Sequence, residues 1–201
     1  MRNITASLSC MLFSLIFYFP LQSFAAEDAR AYISGITTEL EAALQEGRQK
    51  NLLEDEKYID AIIDQHIIPN VDKEFMSRRI FRPRWKEIVA QNKTEQAYKA
   101  VFDSLRRTYR FALSAYNGRP IDIRNSTVKA KYSVIRIYIH TDDKGHTIDL
   151  AVRPNENSWR VFDLSIDGVV VTKTLNSAIK RTLESEDIDS VIAAINPRSE
   201  S

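Results

Sequence analysis

The hydrophobic spacing of this chain switches once from a helical to a strand period, near Pro120, and switches back after Gly168. Over 93–116, Tyr98, Val101, Phe102, Leu105, Tyr109, Ala112, Leu113 and Tyr116 recur at three- and four-residue steps, with Lys99, Asp103, Arg106, Arg107 and Arg110 largely off that stripe. This predicts a long amphipathic helix, stopped by Asn117-Gly118. Beyond Pro120, Ile121 and Ile123 alternate with polar neighbours. Ile135, Ile137 and Ile139 share one face of a strand, Ile148, Leu150 and Val152 share a face of the next, and Trp159 to Leu164 form a fourth. The turns at Asp142–Gly145 and Pro154–Asn157 are short enough to require antiparallel hairpins. Helical spacing resumes with Val171, Leu175, Ile179 and Leu183, then Ile188, Val191, Ile192 and Ile195.

Upstream, Ile33, Ile36, Leu40 and Leu44 predict a helix over 27–46 stopped by Gly47. Ile59, Ile62, Ile63 and Ile67 form a second stripe ended by Pro69. Asp72 can cap a short helix carrying Phe75, Met76 and Ile80, which Pro83 breaks, and Trp85, Ile88 and Val89 begin another. The expected class is α+β, a curved four-strand antiparallel sheet with helices packed on one face. One domain is expected over 26–196, with helices over 26–118, the sheet over 119–168, C-terminal helices over 169–196 and a polar tail at 197–201.

Residues 1–25 read as a signal peptide: Met1-Arg2-Asn3, an apolar run to Phe24, and small residues at Ser23 and Ala25 that place a cut after Ala25. A membrane anchor is the other reading, although the run is near the short limit for spanning. Cys10, the one cysteine, lies in this segment, so the chain forms no intrachain disulfide, cysteine zinc site or iron–sulfur cluster. With 28 basic and 27 acidic residues, charge gives no support for a nucleic-acid binder.

Catalytic signatures are missing: no glycine-rich phosphate loop, no Gly-x-Ser-x-Gly, no His-Glu-x-x-His. His140 and His146 flank a turn and read as solvated rather than metal-binding, and His66, beside an isoleucine stripe, reads as a half-buried helix residue. No enzyme activity, metal or cofactor is expected. The aliphatic strand faces and the aromatic helix stripe either meet as a filled core or line a pocket for an apolar ligand, and sequence does not decide between them. Arg78, Arg79, Arg82, Arg84 and Lys86 fall within nine residues, interleaved with Ile80, Phe81 and Trp85. They form either a solvated turn, with Glu74 and Glu87 as partners, or a surface for lipid head groups or an acidic partner.

Three segments carry a family resemblance: Phe75-Met76-Ser77-Arg78-Arg79-Ile80 followed by Trp85; Thr94-Glu95-Gln96 through Phe102, Thr108-Tyr109 and Ala112-Leu113 to Tyr116-Asn117-Gly118; and Trp159-Arg160-Val161-Phe162-Asp163-Leu164 before Ile166-Asp167-Gly168-Val169. In this order and spacing they resemble the MlaC family, the toluene-tolerance auxiliary proteins, over roughly residues 30–196. The sequence departs from the family's pattern at Leu175-Asn176, where the family often has Tyr-Arg, and within Phe81-Arg82-Pro83.

The resemblance implies a sheet related to the NTF2-like cone with a helical lobe, and a soluble periplasmic phospholipid carrier. Such a carrier works between an outer-membrane lipoprotein–porin complex and an inner-membrane ABC transporter with an MCE-domain subunit, maintaining outer-membrane lipid asymmetry. Acyl chains would enter the interior, with phospholipid as cargo and the protein a monomer. The expected cavity residues are Phe75, Met76, Phe102, Leu105, Tyr109, Ile137, Ile139, Leu150, Val152, Val161, Val169 and Val171. Arg78, Arg79, Arg82 and Arg84 are expected at the cavity mouth or a docking face, because a guanidinium beside hydrocarbon loses hydration. The competing readings are an NTF2-like enzyme and a periplasmic adaptor without a ligand.

Overall fold

The computed structural model describes residues 21–196 apart from positions 143, 157 and 186. Residues 1–20 of the expected signal peptide and the whole of the expected tail lie outside the described residues.

The first helix, α1, spans Leu21–Gln49. It continues past Gly47, which therefore does not act as the expected stop. A Cβ there would sit 2.4 Å from the Tyr58 ring, so glycine instead lets the next helix approach α1 closely. That helix, α2 (Glu56–Ile62), starts at Asp55, whose carboxylate accepts the Lys57 N–H at 2.9 Å. It passes into a π turn at Ile63–Ile67 and a 3-10 turn at Ile68–Asn70. Asp72 caps α3 (Lys73–Ile80) by accepting the Phe75 N–H at 3.0 Å. After Pro83 come α4 (Trp85–Ala90) and the long α5 (Thr94–Ser114).

The sheet has five strands rather than four: β1 (Asp122–Val128), β2 (Ser133–Ile139), β3 (His146–Asn155), β4 (Ser158–Ile166) and β5 (Val169–Val170), antiparallel and in sequence order. The fifth strand exists because Asp167 and Gly168 both take positive φ, 50° and 86°, and so make the two-residue turn that reverses the chain onto β4. β1 also runs further than its isoleucines, through Arg124, Asn125 and Ser126, as an edge strand. The chain ends in α6 (Val171–Ala178), α7 (Lys180–Ser185) and α8 (Ile188–Ala193), the last capped by Asp187.

Two apolar cores result. One joins α3, α4, α7, α8 and the first half of α5 around Met76, Ile80, Phe81, Ile88, Val101 and Ile192. The other joins α1, α2 and the sheet to the end of α5, around Ile33, Leu44, Ile63, Leu113, Ile135 and Val152. Ile67, Ile68 and Tyr109 pack against both.

The candidate ligand cavity

Sheet alternation sends Ile137 and Ile139 of β2, Ile148 and Leu150 of β3, and Val161, Leu164 and Ile166 of β4 to one side. Against them, α1 presents Ile33, Ile36, Thr37 and Leu40, and α5 presents Tyr109, Ala112 and Leu113. Between these layers lies a cavity of about 120 Å³. The irregular turn after α2 closes it with His66, Ile67, Asn70 and Val71. Val71 is fixed in place by a parallel bridge to Val161, and the following Asp72 N–H donates to the Val161 carbonyl at 2.8 Å.

The lining is almost wholly apolar, with a polar margin on one side. Asn70 donates to the His66 carbonyl at 2.9 Å and accepts from the Tyr32 hydroxyl. The Tyr32 hydroxyl in turn accepts from Arg160 at 3.2 Å. Nδ1 of His66 lies 3.7 Å from a Glu39 carboxylate oxygen. Larger open clefts, of about 360 and 430 Å³, lie along α2 and α5, and ion pairs run through their walls, such as Arg110 with Asp60 at 2.6 Å. The described residues contain no cluster suited to a metal ion, and none of their helices is long and apolar enough to cross a membrane.

Of the residues expected to line a pocket, Tyr109, Ile137, Ile139, Leu150 and Val161 come together here. The others are placed elsewhere. Met76, on α3, and Phe102 and Leu105, on the stretch of α5 that packs with α3 and α8, are buried in the helical core. Val152 is buried in the sheet core but does not reach the cavity. Val171 packs on the helical core, and Val169, on the two-residue β5, is 60% exposed. Phe75 sits edge-on to Phe162, centroids 5.1 Å apart, with the Arg153 guanidinium 4.4 Å from its centroid. Phe162 is the extra residue of a β-bulge, because Val152 pairs with Val161 while Ala151 pairs with Asp163.

The arginines do not line the cavity. Arg79 pairs with the buried Asp163 at 3.1 Å. Arg84 forks onto Glu87 at 2.7 and 2.8 Å, which holds its guanidinium above the ordinary arginine pKa, and it donates to the Leu183 carbonyl. Arg78 and Arg82 are exposed, Arg78 with its guanidinium 5.8 Å from the Phe75 centroid.

The α1 wall was missed as a wall. Its signal was present, since Ile33, Ile36 and Leu40 form the first helical stripe, and Ile148 shares the face of Leu150. His66 joins the lining from the π turn at Ile63–Ile67, where the regular helical spacing of the isoleucine stripe no longer holds.

A family model described as "MlaC protein" matches residues 36–197. No curated protein matches the chain. Among solved structures, a phospholipid-binding protein from Ralstonia solanacearum, in complex with a phospholipid, superposes with a TM-score of 0.62 at 19% identity, covering 84% of this chain and 98% of that one. At that identity the likeness is one of fold.

Proposed function

The chain belongs to the MlaC family, and we propose on that basis that it is a phospholipid carrier. It would take acyl chains between α1, α5 and the sheet, leaving the head group toward solvent. The observation that carries this reading is the almost wholly apolar cavity, whose walls come from α1, the turn after α2, α5 and the middle strands of the sheet.

Each buried methylene is worth about 0.8 kcal/mol against water. Two chains totalling roughly 30 carbons therefore cost about 24 kcal/mol to expose, and a bilayer recovers the same quantity. Exchange between membrane and protein is then nearly balanced, which is what loading and unloading without chemistry requires. At about 120 Å³ the cavity is close in size to one that holds benzene, so acyl chains enter only as the walls part.

In the wider reading the chain is exported, cut after Ala25, and moves phospholipid across the periplasm between an outer-membrane lipoprotein–porin complex and an inner-membrane ABC transporter with an MCE-domain subunit. A sheet of the NTF2-like cone type and a monomeric state belong to the same proposal. The exposed Arg78 and Arg82 suit a docking face. Mass spectrometry of organic extracts from the purified chain tests the carrier reading: phospholipid in stoichiometric amounts is expected, and lipid-free protein from a lipid-replete host would leave the adaptor reading.

A further inference from the structure

Tyr109 projects from the last third of α5 at the junction of the two cores and lines the cavity. Protein surrounds it on every side, yet it keeps accessible surface. The two facts agree if that surface faces the cavity rather than bulk water. Its hydroxyl makes no hydrogen bond with any described residue, nor is it sealed in the core as the orphan hydroxyls of Ser77 and Tyr116 are. It is a donor turned toward an apolar space. Burial, with the negative Asp163 nearby, raises the phenol's pKa, so it keeps its proton across the whole ordinary pH range.

A hydroxyl is a poor choice for a wall that meets hydrocarbon alone. Phenylalanine would fill the same space without stranding a donor. In a glycerophospholipid the hydrogen-bond acceptors joined directly to the acyl chains are the two ester carbonyls; beyond them the chain is methylene. A free fatty acid brings a carboxylate instead, and this lining offers a negative charge no arginine or lysine, while Glu39 stands beside His66, its one titratable side chain apart from Tyr109. We infer that the Tyr109 hydroxyl donates to an ester carbonyl of the bound lipid, and so selects acyl-ester lipids over chains of equal length without that carbonyl. The inference rests on the carrier reading and adds the residue that reads the linkage.

The test uses vesicles holding equal amounts of a diacyl phosphatidylcholine and its dialkyl ether analogue of the same chain length. Purified delipidated protein is exposed to them, recovered, and its lipid weighed by mass spectrometry. A buried hydrogen bond gained or lost shifts such a ratio by about five- to tenfold. The wild-type chain should enrich the ester lipid by that factor, and Tyr109→Phe, folded with the wild-type urea midpoint, should return the vesicle's one-to-one ratio. An unenriched wild type, or enrichment that survives in Tyr109→Phe, overturns this inference and leaves the carrier reading intact. Uptake of neither lipid overturns both.

Discussion

Arg79 of α3 reaches Asp163 of β4 across 3.1 Å, and the two are unequally buried: the arginine side chain is 46% exposed, the aspartate side chain 7%. Asp163 also accepts the Thr172 hydroxyl at 2.7 Å and the N–H groups of Leu164 and Thr172. One carboxylate thus ties α3, β4 and the start of α6 together. An arginine expected to meet a head group spends its charge on the fold.

Removing either partner should therefore cost stability, and by different amounts. Arg79→Ala leaves a carboxylate that keeps three hydrogen bonds, and the half-exposed guanidinium is partly screened, so a loss of about 1–2 kcal/mol is expected. Asp163→Ala strands buried donors and should cost about 2–3 kcal/mol. Urea denaturation measures both, and an Arg79→Ala midpoint equal to wild type would remove the pair from the account of stability.

The cavity wall gives a second expectation. Leu150→Trp adds bulk where Leu150 meets the void, and Ile137→Asn puts an amide among aliphatic side chains. Phospholipid recovered with the protein should fall severalfold in both, with far-ultraviolet circular dichroism unchanged for Leu150→Trp. Ile137 is only 8% exposed, so its variant should also lose about 2–4 kcal/mol of stability. Full lipid recovery with Leu150→Trp would place the cargo somewhere else.

Docking through exposed cations should be sensitive to salt. Reversal of Arg78 and Arg82 to glutamate should slow lipid transfer to or from partner membranes, with the effect fading as ionic strength rises and the Debye length falls below about 8 Å. Bound lipid, held by its tails, should stay. Arg84 does not belong in this set, because reversing it breaks the fork onto Glu87. Transfer rates indifferent to both salt and mutation would make these side chains a solvated surface.

Acid should loosen the C-terminal helix. The Asp187 carboxylate accepts the Ser190 hydroxyl and the N–H groups of Asp189 and Ser190 at the start of α8, which holds its pKa below the usual aspartate value, the Ser190 hydroxyl being the largest cause. A group depressed in the folded state stabilises above its unfolded pKa, near 3.8, and that contribution disappears as pH falls through the lower folded value. Amide exchange within α8 should therefore quicken below about pH 4. Asp187→Asn, which keeps an acceptor but loses the titration, should flatten that dependence. Protection of α8 that is flat from pH 5 to 3 in the wild type would refute it.

The long helix and the hairpins were legible because each repeats its period often enough to rise above chance: α5 gives its stripe seven positions, and β2 and β3 three each. β5 was not legible, because two valines after a turn fit a strand or a helix start equally well. Polar Arg124, Asn125 and Ser126 hid the rest of β1, as an edge strand needs no apolar face. The site was harder still. Val152 and Leu150 are the same kind of residue on the same strand face, and one is core while the other borders a void. That distinction depends on what stands opposite, and the partner on α1 lies more than a hundred residues away. The arginine run was legible as a cluster, but its division into paired Arg79 and Arg84 and exposed Arg78 and Arg82 follows from helix phase and from Asp163 and Glu87.

α5 belongs to both cores at once. Its 21 residues extend about 31 Å, with Val101 and Leu105 sealed among the helices and Leu113 set against the sheet. Neither half of the molecule owns this helix, so neither half can melt and leave the other intact. Loss of the sheet would strip water-shy surface bare on the same rod that holds the helical lobe together. The protein should accordingly come apart in a single step, with tryptophan fluorescence from Trp85 in one core and Trp159 beside the other reporting the same midpoint.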